Sequence, residues 1–146
     1  MEAAQDIQFD FEGSLELARQ LWAMAEDAQT VMAGRGRLAQ DALNTWLGPH
    51  GIDFADRVTS EGRQIDAIAA DFRAAANGWA SCWQAAMDEQ RRIDHARECD
   101  RIRNNRSLLD SFVGGIMGHD DLPPPPLPVG LPVAPAFAPT ASRWSC

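Results

Sequence analysis

The sequence predicts an all-α protein in which two helices pack against each other as an antiparallel hairpin. Two long stretches repeat apolar residues at alternating steps of three and four, the spacing of a helix that packs lengthwise on another helix. Between them, the stretch GPHG at 48–51 holds a glycine and a proline, which together end a helix and resist its continuation. The 146 residues are one domain's worth, long enough for a modest core.

The first helix is predicted to follow an extended segment, residues 1–13, with Ser14 as its N-terminal cap. Gly34 and Gly36 each cost about 1 kcal/mol relative to alanine, so the helix is expected to be loosened there without ending. Its predicted contact stripe consists of Leu17, Leu21, Met24, Ala28, Val31, Arg35, Leu38, Ala42 and Trp46.

The turn, residues 47–51, places a tryptophan directly before it and contains Gly48, Pro49 and Gly51. We expect Trp46 to pack on Phe54 and Val58 as a hydrophobic clamp, and burying an indole there is worth about 2–3 kcal/mol. An exposed edge of the same indole, as part of a groove for a partner, is compatible with this role.

The second helix is the more regular of the two, and no proline interrupts the chain between Pro49 and Pro123. A seven-residue period held for so long indicates a long helix in a coiled-coil-like pair. Asn77-Gly78 is the place where a kink is expected. The predicted contact stripe consists of Phe54, Val58, Glu61, Ile65, Ile68, Phe72, Ala75, Trp79, Cys82, Ala86, Glu89, Ile93 and Ala96.

The two helices are unequal in length, so the second is predicted to overhang the hairpin domain, 14–106, from about residue 84 onwards. Residues 107–117 are predicted to form a short third helix that folds back. The proline-rich residues 118–146 are predicted to be a disordered tail that favours extended polyproline conformation. Beside the stripes at the open end of the hairpin, Trp22, Trp83 and Met87 predict an exposed partner-binding patch. Ile93, on the overhanging part of the second stripe, has no predicted partner within the chain and is predicted to bind there too.

Composition excludes several classes of function. The net charge of −8 disfavours nucleic acid as a partner, and no apolar run approaches the roughly 18 residues of a membrane span. Three cysteines cannot close a disulfide framework; Cys82 is interpreted as a core residue, and no role is assigned to Cys99 or Cys146. His95 and Cys99 supply at most half of a metal site, so we predict no metal, no cofactor and no enzymatic activity.

The turn carries a resemblance. A helix, then Trp46-Leu47-Gly48 at the reversal, then a second helix is similar to the Trp-X-Gly hairpin family, the early-secreted-antigen-like proteins of type VII secretion in actinobacteria. The longer string WLGPHGxxF, followed by Arg57 and Glu61, resembles the turn of actinobacterial members, and the likeness covers about residues 14–104. It implies that Trp46 and Gly48 shape the turn and a binding notch.

The resemblance also implies pairing with a second hairpin into a four-helix bundle, with a secretion ATPase or a toxin as further partners. The family's secretion signal is a tyrosine with an acid four residues later, and this chain has no tyrosine. Two functions therefore stay open: a type VII secretion-associated interaction protein that acts as cargo, co-substrate or targeting partner by pairing with another hairpin or with itself, or a cytosolic structural or regulatory coiled coil. The expected location is the cytoplasm or, without a signal peptide, export by another route.

Overall fold

In the residues that the computed structural model of the chain describes, two α-helices, α1 (Phe11–Leu43) and α2 (Pro49–Val113), pack side by side as an antiparallel hairpin. The structure describes residues 5–113 and 122–144, without the side chains of 109–113. The predicted all-α hairpin with a long second helix is confirmed, and the described residues contain no strand. Neither helix combines the length and the apolar character needed to cross a membrane.

Helix α1 begins four residues earlier than the predicted cap would place it. Asp10, and not Ser14, is the N-terminal cap: its carboxylate accepts a hydrogen bond of 2.8 Å from the backbone N–H of Gly13. Ser14 lies inside the helix, is buried, and donates its hydroxyl to the carbonyl of Phe11. The helix continues through Gly34 and Gly36 as expected.

The chain reverses over residues 44–48. The backbone N–H groups of Asn44 and Trp46 bond back to the carbonyls of Gln40 and Ala42, which closes the last turn of α1. Gly48 follows with φ +104°, a conformation that glycine adopts without a steric penalty. Pro49 is the first residue of α2, where its missing N–H leaves no hydrogen bond unmade.

Helix α2 is continuous over its 65 residues. It continues through Asn77-Gly78, the place where a kink is predicted. The predicted separate helix at 107–117 is wrong for residues 107–113, which continue α2. The remaining residues of that prediction, 114–117, lie outside the described part of the chain.

The helices contact each other through stripes that lie one position away from those predicted. The buried residues of α1 include Leu15, Ala18, Ala25 and Ala39, and those of α2 include Ala69, Ala76, Ala80, Trp83 and Met87. Most of them are alanines, which allow the two backbones to approach closely. The large residues of the predicted stripes, such as Val31 and Ile68, are exposed instead, and so is Cys82.

Residues 122–144 pack on the open end of the hairpin, so the prediction of a disordered tail is wrong for this segment. Pro123 and Pro126 are half-buried, and Val129 and Pro132 are buried, so every third residue faces the helices. A period of three is that of the polyproline II helix, the conformation that the composition predicted. Composition alone could not show that one edge of this helix would find a partner.

The segment then reverses and closes the core. Ala134-Pro135 is a cis peptide, and Phe137, at φ +41°, is completely buried among Trp83, Val129 and residues of both helices. Thr140 donates its hydroxyl to the carbonyl of Gly130 at 2.8 Å, which ties the part of the segment after the reversal to the part before it.

Residues 5–10 contain neither helix nor strand and run along the part of α2 that projects beyond α1. Residues 11–13 of the predicted extended segment belong to α1. The buried amide of Gln90 joins them to the helix: it accepts from the N–H of Ile7 at 2.9 Å and donates to Asp6 at 2.8 Å. Asp6 also forms ion pairs with Arg97 of α2 and Arg143 of the C-terminal segment. The projecting part of α2 is thus bound by both flanking segments.

Candidate interaction surface

The four residues predicted to bind a partner do not form an exposed patch. Trp83 is 1% exposed and Met87 is 3% exposed, because the C-terminal segment covers them with Val129 and Phe137. Trp22 and Ile93 are half-buried. Trp22 and Trp83 do meet at the open end of the hairpin as expected, but they serve the intramolecular core there.

Trp22 contacts three neighbouring side chains. Its ring meets that of Phe137 edge to face, with centroids 5.9 Å apart, and the guanidinium of Arg73 lies 5.3 Å above it. Its indole N–H donates to Glu26 at 3.1 Å. An indole with these contacts belongs to the fold, and little of it is left for a partner.

A different surface of the hairpin is apolar and uncovered, and we call it the open face. Its members on α1 follow a seven-residue period, and those on α2 lie opposite them across the hairpin. Five of them are between 40% and 71% exposed, and the other two, Leu17 and Phe54, are half-buried. The open face consists of Leu17, Met24, Val31 and Leu38 on α1 and Phe54, Ile68 and Trp79 on α2.

The two halves of the open face lie on the same side of the hairpin. In each helix, the residues of the open face come one position before the buried residues, so they are rotated about 100° from the buried side around the helix axis. Because the helices run in opposite directions, the two rotations have opposite sense when both are viewed from the same end. Both sets of exposed apolar residues therefore face the same side of the hairpin. Two grooves agree with this geometry. One, of about 440 Å³ near the turn, lies between Leu38 and Phe54. The other, of about 360 Å³ at the open end, lies between Leu17 and Trp79.

One ion pair crosses the open face. Arg35 of α1 contacts Glu61 of α2 at 2.8 Å, and both side chains remain about half exposed. Both had been assigned to the contact stripes of the hairpin, where a charge would be costly to bury. On a solvent-accessible face both charges stay hydrated, so the ion pair has a small desolvation cost and adds little stability. It also places two opposite charges at one level of the open face, near the groove at the turn.

The turn extends the apolar surface at one end. The rings of Trp46 and Phe54 pack with centroids 5.3 Å apart, so the Phe54 half of the predicted clamp is confirmed. Trp46 nevertheless remains 47% exposed, and the adjacent Leu47 is 86% exposed. Gly51 is buried, and a β-carbon there would lie 2.4 Å from the carbonyl oxygen of Trp46. The turn residues therefore present an indole edge instead of burying it.

The opposite side of the hairpin is covered or polar. Near the open end, Arg19 donates to the carbonyl of Phe137, and Gln84 donates to the carbonyl of Val129. Nearer the middle, Gln29 joins the helices by donating to Asp66 and accepting from Arg73. This side offers no apolar stripe comparable to the open face in the part of the chain described.

His95 has a structural partner. Its Nε2 lies 2.9 Å from the carbonyl of Pro123, and because a carbonyl only accepts, this nitrogen carries the proton and donates. Cys99 is buried beside the same imidazole. Among the described residues, no group of three histidines, cysteines or acids is arranged to hold a metal ion. The pair anchors the C-terminal segment to α2.

No family model, curated protein or solved structure matches the chain. The geometry of the open face and of the turn is therefore the basis for inferring what they bind. The sequence contained the signal for the open face, since its residues are those of the predicted stripes. What sequence reasoning missed was that the hairpin buries the neighbouring alanines instead.

Proposed function

We propose that this chain is an interaction protein, a helical hairpin that pairs through its open face with another helical hairpin, either a different chain or a second copy. The open face carries the proposal. It runs from Leu17 to Leu38 on α1, about 30 Å at 1.5 Å per residue, and exposes large apolar side chains along that length. A long exposed apolar surface usually marks an interface.

The shape of the surface favours a helical partner. Two parallel ridges of apolar side chains, one from each helix, leave a shallow channel that a second pair of helices can fill by ridges-into-grooves packing. The product would be a four-helix bundle. The Arg35–Glu61 pair would then lie within the interface and favour a partner that satisfies both charges, which supplies register.

Within this class, we propose the type VII secretion-associated hairpins, in which the chain would act as cargo, co-substrate or targeting partner. The support is the turn, where Trp46-Leu47-Gly48 lies between two antiparallel helices, Gly48 has positive φ and the indole is half exposed. A secretion ATPase or a toxin would be a further partner of such a complex. A cytosolic structural or regulatory coiled coil remains the alternative, because it would use the same face.

Sedimentation equilibrium tests the pairing. The purified chain should form a dimer alone or with the product of a neighbouring hairpin-coding gene, and Leu38→Asp should abolish that dimer. Leu108→Asp is the matched control, since Leu108 is also an exposed helical leucine but lies far from the open face. A monomer in every mixture, or equal effects of the two substitutions, would contradict the proposal.

Culture fractionation separates the two classes. In the source cell, a type VII secretion-associated protein should be lost from the culture medium, or from its secreted partner's complex, when the secretion ATPase is inactivated. A cytosolic coiled coil would keep its partner and its location in the same strain.

A further inference from the structure

We propose that residues 124–128, Pro-Pro-Pro-Leu-Pro, form a docking ridge for a partner domain that has a groove lined by aromatic side chains. This ridge is separate from the open face and independent of pairing through it. The inference rests on the three-residue period of the C-terminal segment, on the exposure of its outer residues and on the anchors at its two ends.

The period divides the segment into an inner edge and two outer edges. Pro123, Pro126 and Val129 face the hairpin, so the pairs between them, Pro124-Pro125 and Leu127-Pro128, face solvent. Leu127 is 80% exposed. Each pair places an apolar residue directly before a proline, and the two pairs are three residues apart. Adjacent aromatic pockets that recognise polyproline II peptides accept side chains presented with this repeat.

The ridge is held in its extended form before any partner arrives. At one end, His95 donates to the carbonyl of Pro123 at 2.9 Å. At the other end, Asp88 accepts from the N–H of Val129 at 2.7 Å, and Gln84 donates to the carbonyl of the same residue at 2.8 Å. A ligand that is already ordered loses less conformational entropy when it binds.

The backbone of the ridge also has acceptors to offer. Proline has no N–H, and no hydrogen bond joins the carbonyls of 124–128 to any other described residue. A polyproline II helix makes no internal hydrogen bonds, so these carbonyls can accept hydrogen bonds from a partner. An aromatic groove that carries an indole N–H or a phenol hydroxyl can donate to them while its rings contact the prolines.

The nature of the partner follows from this chemistry. The chain carries no charged side chain from Leu122 to Ala138, which includes the whole ridge. The ridge itself therefore cannot select its partner by charge pairing. Shape and ring contacts must do so, which favours a preformed aromatic groove over a flexible or acidic peptide. The open face, in contrast, presents rows of large apolar side chains with helical period and suits another helix pair.

Isothermal titration calorimetry of the full chain with a purified WW domain and a purified Src-homology-3 domain as probes tests the ridge. We expect at least one probe to bind, and the double variant Pro125→Ala, Pro128→Ala to weaken that binding at least tenfold. Pro139→Ala, an exposed proline of the same segment outside the ridge, should bind as the parent does. Failure of both probes to bind, or unchanged binding by the double variant, would overturn the proposal.

A second variant separates an ordered ridge from a mere sequence motif. Asp88→Ala removes the anchor of Val129 and leaves residues 124–128 unchanged, so we expect several-fold weaker binding of the same probe. Equal affinity would show that order imposed by the hairpin contributes nothing, which contradicts the mechanism. Leu38→Asp, on the open face, should leave probe binding intact, and circular dichroism should show that each variant keeps the helical content of the parent.

Discussion

Phe137 packs edge to face against Trp22, with ring centroids 5.9 Å apart, although 115 positions separate the two in sequence. The contact places a residue of the proline-rich segment inside the helical core. Phe137 has no exposed surface, and its ring fills the space between α1, α2 and Val129. The C-terminal segment is therefore part of the fold.

Phe137→Ala should destabilise the protein strongly. Truncating a buried phenylalanine costs about 3–5 kcal/mol, because burial is lost and a cavity remains. Urea denaturation followed by circular dichroism measures the change. Leu127→Ala, in the same segment but exposed, serves as the control and should change the free energy of unfolding by less than about 0.5 kcal/mol. Equal stability of the two variants would mean that the segment does not pack as described.

Trp83→Ala should cost much more stability than Trp46→Ala. The first removes a buried indole, for which about 3–5 kcal/mol is expected. The second removes a half-exposed indole whose main contact is the ring of Phe54, so about 1–2 kcal/mol is expected. The same urea titration compares them. If Trp46→Ala lowered the free energy of unfolding more than Trp83→Ala, the turn would be the better packed end of the hairpin. That result would contradict the exposure of Trp46 in the structure.

Two glycines in α2 and α1 should respond to alanine with opposite signs. At Gly51 the new β-carbon would lie 2.4 Å from the carbonyl oxygen of Trp46, so Gly51→Ala should force the turn apart and lower stability. Gly34 is helical with no neighbour near the added atom, so Gly34→Ala should raise stability by about 0.5–1 kcal/mol. Thermal unfolding of the two variants against the parent decides the signs.

Acidification should loosen the contact between the chain's two flanking segments. Hydrogen bonds from Arg97, and then from Gln90 and Arg143, lower the pKa of Asp6 to about 2. Since the folded state favours the ionised carboxylate, its contribution is complete above the ordinary aspartate pKa of about 3.9. That contribution is lost as the pH falls towards 2.

Asp6→Asn should remove this part of the pH dependence. The fall in melting temperature between pH 5 and pH 2.5 should be smaller in the variant than in the parent. Asp53→Asn, an exposed carboxylate at the other end of the hairpin, is the control and should follow the parent. Identical slopes for all three proteins would show that the Asp6 cluster does not form in solution.

The sequence predicted the architecture well because two features suffice for it. A sustained period of three and four predicts long helices, and glycine next to proline predicts the reversal. The period could not choose which stripe is buried, because the stripe through Leu17 and Val31 and the one through Ala18 and Ala25 repeat identically. We favoured the larger side chains, and the hairpin instead buries the alanines, since small residues let the helices approach closely.

Composition does not predict that the flanking segments are ordered. A proline-rich stretch cannot form a core by itself, and residues 122–133 do not form one on their own. Their order comes from distant groups such as Asp88 and His95, which bond to the backbone of Val129 and Pro123. Local sequence does not encode such contacts. The period of three among the inward residues becomes visible only once α2 is present beside them.

The covered side of the hairpin has a consequence for stoichiometry. A helical pair with two equal apolar faces could add partners on both and grow into an open-ended stack of layers. Here the C-terminal segment covers one side near the open end, and Gln29, Asp66 and Arg73 place polar groups on the same side nearer the middle. If pairing runs through the open face as proposed, a hairpin with one such face adds a single helical partner, which gives a closed particle instead of a filament.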